Sequence, residues 1–433
     1  MAVLAPVGAS GPGGDEDAMK IDTMRRIDRR AGVPLCAAAT ALVRLGAWVR
    51  PKPARPLRRI LFIELSEMGS TVLAEPAMRK AREQLNGELF FVVFARNVGS
   101  VDLLGTFPRD HVYTISDQSM FELTRDTLGF LQWVRRMNID TVVDLELFSR
   151  FTALLAGLCG ADRRVGFYRF HGEGLYRGEM LTHRVAYNAH IHIAKNFIAL
   201  IDALIAKSPT VPYSKTFIGD DQVNARIRPA LPEERERVLA SVRSLTPFDP
   251  DKNRLVLINP NASELLPHRR WMASRYAELI ARILEAFDDV TVLITGGPEE
   301  RAGAERLAAA NPRSISFAGH SVLADLPALY AQSALMVSND SGPAHFAAAA
   351  GLPTIVLFGP ETPKLYQPLG PSRAIYAGLA CSPCVSAHNH RQTACTDNVC
   401  MRAISVDEVF AAVAELLRAS RPAALTARAQ ANP

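Results

Sequence analysis

The sequence predicts an α/β protein built from two doubly wound parallel sheets. From Arg59 onward, apolar runs of strand length alternate with helical stretches, as expected when each strand is followed by a crossover helix. The same alternation restarts at Arg254, after a Pro- and Asp-rich stretch at 245–253 that suits a linker. A chain of 433 residues is long enough for two such cores. We therefore expect two Rossmann-like domains, at about 57–240 and 250–420, facing each other across a cleft.

The predicted strands are apolar runs bounded by polar or turn residues. They lie at 60–65, 89–95, 141–147, 254–260, 290–297, 334–340 and 353–360. Helices are expected from about residue 71 and over 119–138 and 149–159. This order of elements predicts one parallel sheet in each half of the chain.

The N-terminal segment, residues 1–56, differs in character from the rest of the chain. Eleven Lys and Arg residues and two Asp residues between 18 and 59 give that stretch a charge of +9, whereas the whole chain carries +5. Within it, Val33 to Val49 is apolar apart from Thr40 and Arg44. Two interpretations fit: an interfacial helix on anionic lipid, or a helix packed against the body. We expect disorder up to about residue 30 and over 421–433.

Composition disfavours several classes of function. The body outside the N-terminal segment is nearly neutral, which argues against nucleic-acid binding. No apolar run reaches the ~18 to 20 residues of a membrane span, and no clear cleavage site marks a signal peptide. We therefore expect a cytoplasmic protein, with attachment to the inner face of the cytoplasmic membrane under the first interpretation above. No G-x-G-x-x-G follows a predicted strand, so a dinucleotide dehydrogenase is disfavoured.

Polar clusters follow four predicted strands and read "SEMGS", "NPNASE", "TGGPEE" and "SNDSG". Open parallel sheets bind ligands outside the carboxyl ends of their strands, so we expect the site in the cleft. The last cluster opens an alanine-rich helix. Asp340 or Ser341 suits its N-cap, Gly342 permits close approach, and His345 lies one turn in. Such a helix start binds anions, although an ordinary capped helix is the alternative.

Three segments carry a resemblance to a known family. "FAGHSVLADLPALYAQSALMVSNDSGPAHFAAAAGLPTIVLFGP" resembles the donor-binding segment of family 9 glycosyltransferases, the ADP-heptose:lipopolysaccharide heptosyltransferase family. "NPNASELLPHRRW" and "ILFIELSEMGSTVLAEPAMRKARE" resemble two further segments, so the match covers most of 59–419. The resemblance implies a GT-B fold. It also implies inverting transfer of a heptose-like sugar from a nucleotide-diphosphate donor to a cell-envelope glycan or lipid-linked acceptor such as lipopolysaccharide, with no cofactor required.

The donor-binding residues follow from the strand ends together with the resemblance. They are Ser263, Arg269, Glu299, Glu300, Asp340, Ser341, Gly342 and His345. The leaving diphosphate needs hydrogen-bond donors where negative charge grows. Arg269 stands where the family has a Lys, and one of the two glutamates is implied to bind the ribose or base. A solvated basic pair and ordinary acidity at a helix start are the alternatives for Arg269 and the glutamates.

The loop after the first strand departs from the family pattern. Inverting transfer needs a base, and the family places an Asp directly after the loop glycine, where this chain has Ser70. Serine is not a simple general base. Glu67 in the same loop is therefore predicted to take the acceptor proton, with Glu64 near the strand end as the reserve.

Two further clusters are predicted to bind ligands. Arg169, His171, His183 and Arg184 form a cationic, aromatic-lined groove for the acceptor, unless the segment is a solvated loop. The cysteines Cys381, Cys384, Cys395 and Cys400 are spaced C-x2-C-x10-C-x4-C, which is compatible with a structural zinc site. Simple packing as reduced thiols is the alternative.

Two other functions remain open at this point. A nucleotide-sugar epimerase on the same fold would act on a donor without an acceptor. A non-catalytic protein would have kept the donor pocket and lost the base at Ser70. Donor binding without turnover would favour the second of these.

Overall fold

The predicted architecture is confirmed. A computed structural model describes residues 21–49, 55–147, 149–170, 172, 175–206, 214–262, 266–389 and 391–420. Within these ranges the strands form two six-stranded sheets, and every neighbouring pair of strands is parallel. Helices connect the strands, as a parallel sheet requires.

The N-terminal half holds the first sheet. Its strands are Arg59–Ile63 (β1), Glu88–Phe94 (β2), Val112–Ile115 (β3), Thr141–Asp144 (β4), Arg163–Phe167 (β5) and His183–Val185 (β6). Its helices are Ile21–Val49 (α1), Met68–Leu73 (α2), Glu75–Leu85 (α3), Val98–Leu104 (α4), Met120–Arg136 (α5), Arg150–Leu158 (α6), Ile193–Ile205 (α7) and Pro232–Leu245 (α8). The strand order is β3-β2-β1-β4-β5-β6.

The C-terminal half holds the second sheet. Its strands are Arg254–Asn259 (β7), Val290–Ile294 (β8), Ser314–Ser316 (β9), Ser333–Asn339 (β10), Thr354–Phe358 (β11) and Ser372–Tyr376 (β12). Its helices are Ala273–Ala286 (α9), Arg301–Ala308 (α10), Leu326–Ala331 (α11), Gly342–Ala349 (α12), Pro363–Tyr366 (α13), Val399–Ala403 (α14) and Val406–Ala419 (α15). The strand order is β12-β11-β10-β7-β8-β9.

The strand order places a binding crevice in each sheet. In the first sheet β1 lies beside β4, and in the second β7 lies beside β10, so connections leave to opposite sides at these pairs. Such a switch point opens a crevice at the carboxyl ends of the strands. The central strands are almost fully buried, which fixes their ends rigidly. The polar residues that follow β1, β4, β7 and β10 are therefore held by stable elements.

The sequence analysis missed five strands, β3, β5, β6, β9 and β12. Each has only three to five residues. Two of them, β5 and β6, lie in the segment expected to be a cationic groove or a loop. β5 pairs with β4 although it begins with two arginines, and β6 pairs with β5. Short strands with polar ends give little alternation in the sequence, so neighbouring strands decide their structure. Helix α2 also begins at Met68, three residues before the expected start.

Helix α1 is longer than the sequence analysis expected and packs against the body. It begins at Ile21, so the expectation of disorder up to about residue 30 is wrong for residues 21–30. Cys36 and Ala39 are buried, and Asp28 forms an ion pair with Arg150 at the start of α6. Residues 1–20 and the expected disordered tail at 421–433 lie outside the described residues. No helix in the described ranges is long and apolar enough to cross a membrane.

Candidate active site between the two sheets

The two halves enclose a cleft of about 2270 Å³. Its lining includes Glu64 and Glu146 after strands of the first sheet. It also includes Asn259, Thr295 and Asp340, at or directly after the ends of β7, β8 and β10 in the second. The prediction that polar strand ends converge between the two domains is confirmed. This volume exceeds the ~300 to 1,000 Å³ that is common for small-molecule pockets, so the cleft can hold a larger ligand.

The start of α2, which follows the loop after β1, meets the start of α12 across this cleft. A Cβ atom added to Gly69 would lie 2.9 Å from Cδ2 of His345 and 3.6 Å from the Cα atom of Gly342. Real Cβ atoms do not approach a neighbour that closely, so the glycine permits the contact. The predicted base loop and the predicted donor loop are thus in direct contact.

The start of α12 leaves its N–H groups without a side-chain cap. Ser341 is the N-cap residue, with φ −153° and ψ 164°, but its side chain does not accept from the helix. Its Oγ atom lies 3.1 Å from Oγ of Ser338 instead. A Cβ atom added to Gly342 would have its nearest neighbours at 3.9 Å, so the backbone there is open to the cleft. This helix start can receive an anion.

Asp340 does not cap α12 and instead faces Arg269. The Arg269 Nε atom lies 3.3 Å from Oδ2 of Asp340, and its Nη2 donates to Oε1 of Glu361 at 3.1 Å. Both carboxylates are buried. Burial raises the pKa of Asp340 although Arg269 opposes the shift, and burial raises the pKa of Glu361 to about 8. Arg269 is therefore held rigidly at the donor side rather than solvated.

His345 is a buried, neutral imidazole. It is 6% exposed, and burial lowers its pKa to about 3, helped by the charges of His192 and Arg269. Its Nδ1 atom is buried and has no hydrogen-bond partner among the described residues. A neutral imidazole donates one hydrogen bond. His345 can therefore serve a ligand as a neutral donor rather than as a cation.

Glu67, the predicted base, lies at the N-cap of α2 and faces the C-terminal half. Its carboxylate forms an ion pair with Arg391 and accepts a hydrogen bond from Oγ of Ser70 at 3.1 Å. Its side chain is 30% exposed, so it reaches both the protein and the cleft. Ser70, which stands where the family has an Asp, thus contacts Glu67, the residue predicted to act as the base.

Glu64, the predicted reserve, is buried in a group of carboxylates. Burial, and then the nearby Glu146, raise its pKa well above the ordinary range, with Arg391 opposing and Asp144 adding to the shift. Burial also raises the pKa of Asp144 to about 6, although Asp144 is paired with Arg177. Glu64 therefore favours its protonated form more strongly than an exposed glutamate does.

The glutamates after β8 lie at the rim of the cleft. Glu300 accepts from the backbone N–H of Gly297 at 2.8 Å, the capping role that was the alternative interpretation. Glu299 is exposed and lines the cleft. Glu300 lines the cleft as well, and the ribose or base contact of one of them stays a prediction.

The predicted acceptor residues that the structure describes lie apart from the cleft lining. Arg169 stacks over Tyr176 at 5.1 Å, and Arg184 stacks over Tyr168 at 4.4 Å and pairs with Glu179. The pKa of His183 is lowered by burial and then by the charges of Arg163 and Arg164. These partners are structural, and the acceptor role stays a prediction. Ser263 and His171 lie outside the described residues.

The thiols of the cysteine segment differ in their partners and in their exposure. Cys384 accepts from Oγ1 of Thr393, Cys395 accepts from the N–H of Asn398, and Cys400 is buried. Cys381 is exposed, and all six cysteines of the chain are free. Over the described ranges, no three His, Cys, Asp or Glu side chains could hold a metal ion. The zinc site stays a prediction for metal analysis.

Two residues of the site escaped the sequence analysis, Glu361 and Arg391. Glu361 follows β11 after a Gly-Pro pair, so the rule that ligand residues follow strands would have found it. Arg391 lies in the irregular segment between the cysteines, with φ 55°, and stacks over Tyr366 at 5.4 Å. Left-handed backbone at a non-glycine residue is costly and concentrates at functional sites. No local pattern marked this arginine.

Comparisons with known proteins find similarity to one family. The family model described as glycosyltransferase family 9 (heptosyltransferase) matches residues 129–394. Lipopolysaccharide heptosyltransferase 2 of Escherichia coli K12 is 35% identical over 111 residues, which are 25% of this chain and 32% of the relative. Lipooligosaccharide heptosyltransferase 2 of Haemophilus influenzae is 30% identical over 118 residues, or 26% and 34% of the two chains. The match therefore spans about a third of these curated relatives.

Solved structures share the fold over most of the chain. The E. coli ADP-heptose lipopolysaccharide heptosyltransferase II superposes with a TM-score of 0.64 at 18% identity, covering 83% of this chain and 98% of that one. A glycosyl transferase family 9 structure from Veillonella parvula gives a TM-score of 0.63 at 20% identity, covering 85% and 99%. These likenesses establish the two-domain GT-B fold that the sequence predicted.

Proposed function

This chain belongs to glycosyltransferase family 9, and we propose that it transfers a heptose-like sugar from a nucleotide-diphosphate donor to a cell-envelope glycan or glycolipid, with inversion at the anomeric carbon. The observation that carries the proposal is the contact between the loop around Gly69 and the start of α12. It brings a carboxylate loop of one half beside an anion-binding helix start of the other. Transfer between two bound substrates requires this juxtaposition.

The donor side would stabilise the leaving diphosphate. As the bond from the anomeric carbon to the diphosphate breaks, its electron pair moves to the phosphate oxygen. The N–H groups at Ser341 and Gly342, with His345 as a neutral donor, would stabilise that growing charge. Arg269 is already held by Asp340 and Glu361, so its charge acts from a fixed position. This preorganisation lowers the barrier because no group has to rotate during the reaction.

The acceptor side would supply the base. The acceptor hydroxyl oxygen forms the new bond to the anomeric carbon, and its proton passes to a carboxylate. The position of Glu67 at the N-cap of α2, the helix that contacts α12, supports this role. Its ion pair with Arg391 favours the charged form that a base needs. Glu64 is the alternative base, although burial favours its protonated form.

The names of the relatives support the finer assignment. The curated matches are lipopolysaccharide or lipooligosaccharide heptosyltransferases, and one structural neighbour is named for ADP-heptose. We infer an ADP-heptose-like donor and a lipopolysaccharide-type acceptor for this chain by that similarity. A cytoplasmic location at the inner membrane face would suit both substrates.

Titration calorimetry with nucleoside diphosphates, followed by a transfer assay with ADP-heptose and a lipopolysaccharide core acceptor, tests the proposal. We expect selective binding of one nucleoside diphosphate and release of that diphosphate only when an acceptor is present. Diphosphate release with no acceptor would favour an epimerase-like reaction. Tight donor binding with no turnover over a panel of acceptors would show a non-catalytic protein, which Ser70 in place of the Asp makes the main rival.

A further inference from the structure

Helix α1 has an inner face that fixes it to the body of the protein. Cys36 is fully buried and Ala39 is 3% exposed. A Cβ atom added to Gly32 would come within 2.6 Å of the Arg150 side chain, so the helix lies very close to α6. Oγ1 of Thr40 accepts from the backbone N–H of Glu179 at 2.9 Å. The helix is therefore docked in a defined orientation, and its opposite face is presented outward.

The outer face of α1 is apolar and flanked by arginines. Leu35, Leu42 and Leu45 are 52%, 63% and 56% exposed, and their spacing of seven and three residues places them on one side of the helix. Trp48 near the C-terminal end is 82% exposed. The exposed Arg30 and Arg44 flank the leucines. An outward row of leucines with arginines beside it and a tryptophan at its end is typical of a helix lying in a lipid interface.

The same apolar surface continues to the mouth of the cleft. Leu35 lines the cleft together with Met120 and Leu123 of α5 and Phe151 of α6. At the start of α5, Met120 is 47% exposed and the neighbouring Phe121 is 75% exposed. Isolated exposed apolar residues are ordinary, but an apolar rim around a binding cleft marks an interaction surface. Leu35 belongs to both the outer face of α1 and the cleft lining.

The basic charge around α1 indicates which partner its outer face binds. The stretch from 18 to 59 carries +9, whereas the whole chain carries only +5, so the basic charge is concentrated at α1 and its flanks. Anionic phospholipid headgroups attract such a segment, and the apolar side chains enter the headgroup boundary once it is held there. A neutral protein surface would complement the leucines but would leave the basic charge without a partner.

We propose that the outer face of α1 and the exposed start of α5 dock on an anionic phospholipid bilayer, with the mouth of the cleft opening at the lipid surface. The docking itself stands on α1. The delivery of a lipid-linked acceptor to the cleft rests on the proposed transferase function. In this arrangement α1 lies in the interface without crossing the bilayer, and Leu35 marks where the lipid surface meets the acceptor entrance.

Vesicle co-sedimentation of the full chain tests the docking. Wild type should bind vesicles with phosphatidylglycerol and bind pure phosphatidylcholine vesicles more weakly, and about 0.5 M NaCl should weaken the binding. The double variant Leu42→Glu/Leu45→Glu should lower the partition coefficient for anionic vesicles roughly tenfold or more. Phe217→Glu is the matched control, because Phe217 is 92% exposed but lies outside α1 and the cleft. The control should bind vesicles as wild type does.

Three results would overturn the docking: no binding of wild type to anionic vesicles, equal binding by the double variant, or equal loss in the Phe217→Glu control. Light scattering tests whether a second copy of the protein, rather than lipid, covers the outer face of α1. If wild type is a dimer that the double variant dissociates, the outer face of α1 is a contact between two copies, and the proposal is wrong.

Nucleoside diphosphate titration separates this inference from the proposed function. The double variant should bind the diphosphate as wild type does, and should lose transfer to a vesicle-bound acceptor but keep transfer to a detergent-dispersed one. Equal transfer by wild type and double variant to the vesicle-bound acceptor would overturn the delivery role. Vesicle binding by a wild-type protein that binds no diphosphate would overturn the transferase function and the delivery role, and leave the docking standing.

Discussion

Arg391 forms an ion pair with Glu67 across the cleft, and its Nε atom lies 3.6 Å from Oε1 of Glu361. One guanidinium thus joins the carboxylate loop of the N-terminal half to a buried carboxylate of the C-terminal half. Burial lowers the pKa of Arg391 to about 10, and Glu64 opposes the shift. The side chain is still charged at neutral pH. The two halves therefore meet through a charged contact at the predicted reaction centre.

Replacing Glu67 with Gln should abolish most turnover. Glutamine keeps the size of the side chain but cannot accept the acceptor proton, so kcat should fall roughly 10²- to 10⁴-fold. Calorimetric affinity for the nucleoside diphosphate should be unchanged, because Glu67 lies on the acceptor side. Glu83→Gln, on the exposed side of α3, is the control. Near wild-type kcat in Glu67→Gln with a large loss in Glu64→Gln would transfer the role to Glu64.

Replacing Arg391 with Ala should alter both stability and the pH dependence of turnover. Glu67 would lose its ion-pair partner at a partly exposed position, which should cost about 1 kcal/mol or less of unfolding free energy. The acid limb of kcat should move to higher pH, because a carboxylate without its cation takes up a proton more readily. Arg391→Lys should restore part of both effects. A pH profile identical to wild type in Arg391→Ala would show that the pair does not affect the base.

Replacing His345 with Ala should weaken nucleoside diphosphate binding by about 1.5 to 3 kcal/mol, the scale of a hydrogen bond to a charged group. Because His345 is already neutral above its pKa of about 3, its contribution should be the same at pH 6 and at pH 8. Titration calorimetry at both values measures this. His320→Ala is the control, since His320 lies outside the cleft lining. A contribution that disappears between the two pH values would mean that His345 binds as a cation.

Enlarging Gly342 should block the diphosphate without harming the fold. A single added Cβ atom has 3.9 Å of clearance in the free protein, so Gly342→Ala should keep the wild-type melting temperature. Gly342→Val should weaken diphosphate binding at least as much as His345→Ala, because its methyl groups enter the space where the phosphate would lie. Calorimetry after a melting measurement tests both variants. Undiminished affinity in Gly342→Val would place the diphosphate elsewhere.

Replacing Glu361 with Gln should change how stability depends on pH. Burial raises the pKa of Glu361 to about 8, above the ordinary value of 4.5, so the folded protein holds a proton that the unfolded chain releases. Stability from this group is present below about pH 4.5 and is lost as pH rises toward 8. The melting temperature of Glu361→Gln relative to wild type should therefore increase from about pH 5 to about pH 8. A constant difference would contradict the shifted pKa.

The sequence by itself determined the two sheets and the position of the predicted donor loop at the start of α12. Strands buried in a parallel sheet appear in the sequence as runs of apolar residues. The start of α12 can be recognised because Ser341, Gly342 and the residues that follow come after such a run. These signals are local, so they need no knowledge of what packs against them. The short strands β5 and β6 are not marked by their own composition, because the pairing of β5 with β4 and of β6 with β5 decides their structure.

Only the tertiary structure decided which groups face one another. The sequence alone allows either Asp340 or Ser341 to cap α12, whereas in the structure Asp340 forms an ion pair with Arg269. Arg391 reaches Glu67, and Gly69 lies against His345, although these partners are far apart in the sequence. Likewise, only the packing of α1 against α6 shows which face of α1 is buried and which is exposed. Contacts of this kind depend on how two sheets are oriented in space, and no periodicity of a single segment encodes that orientation.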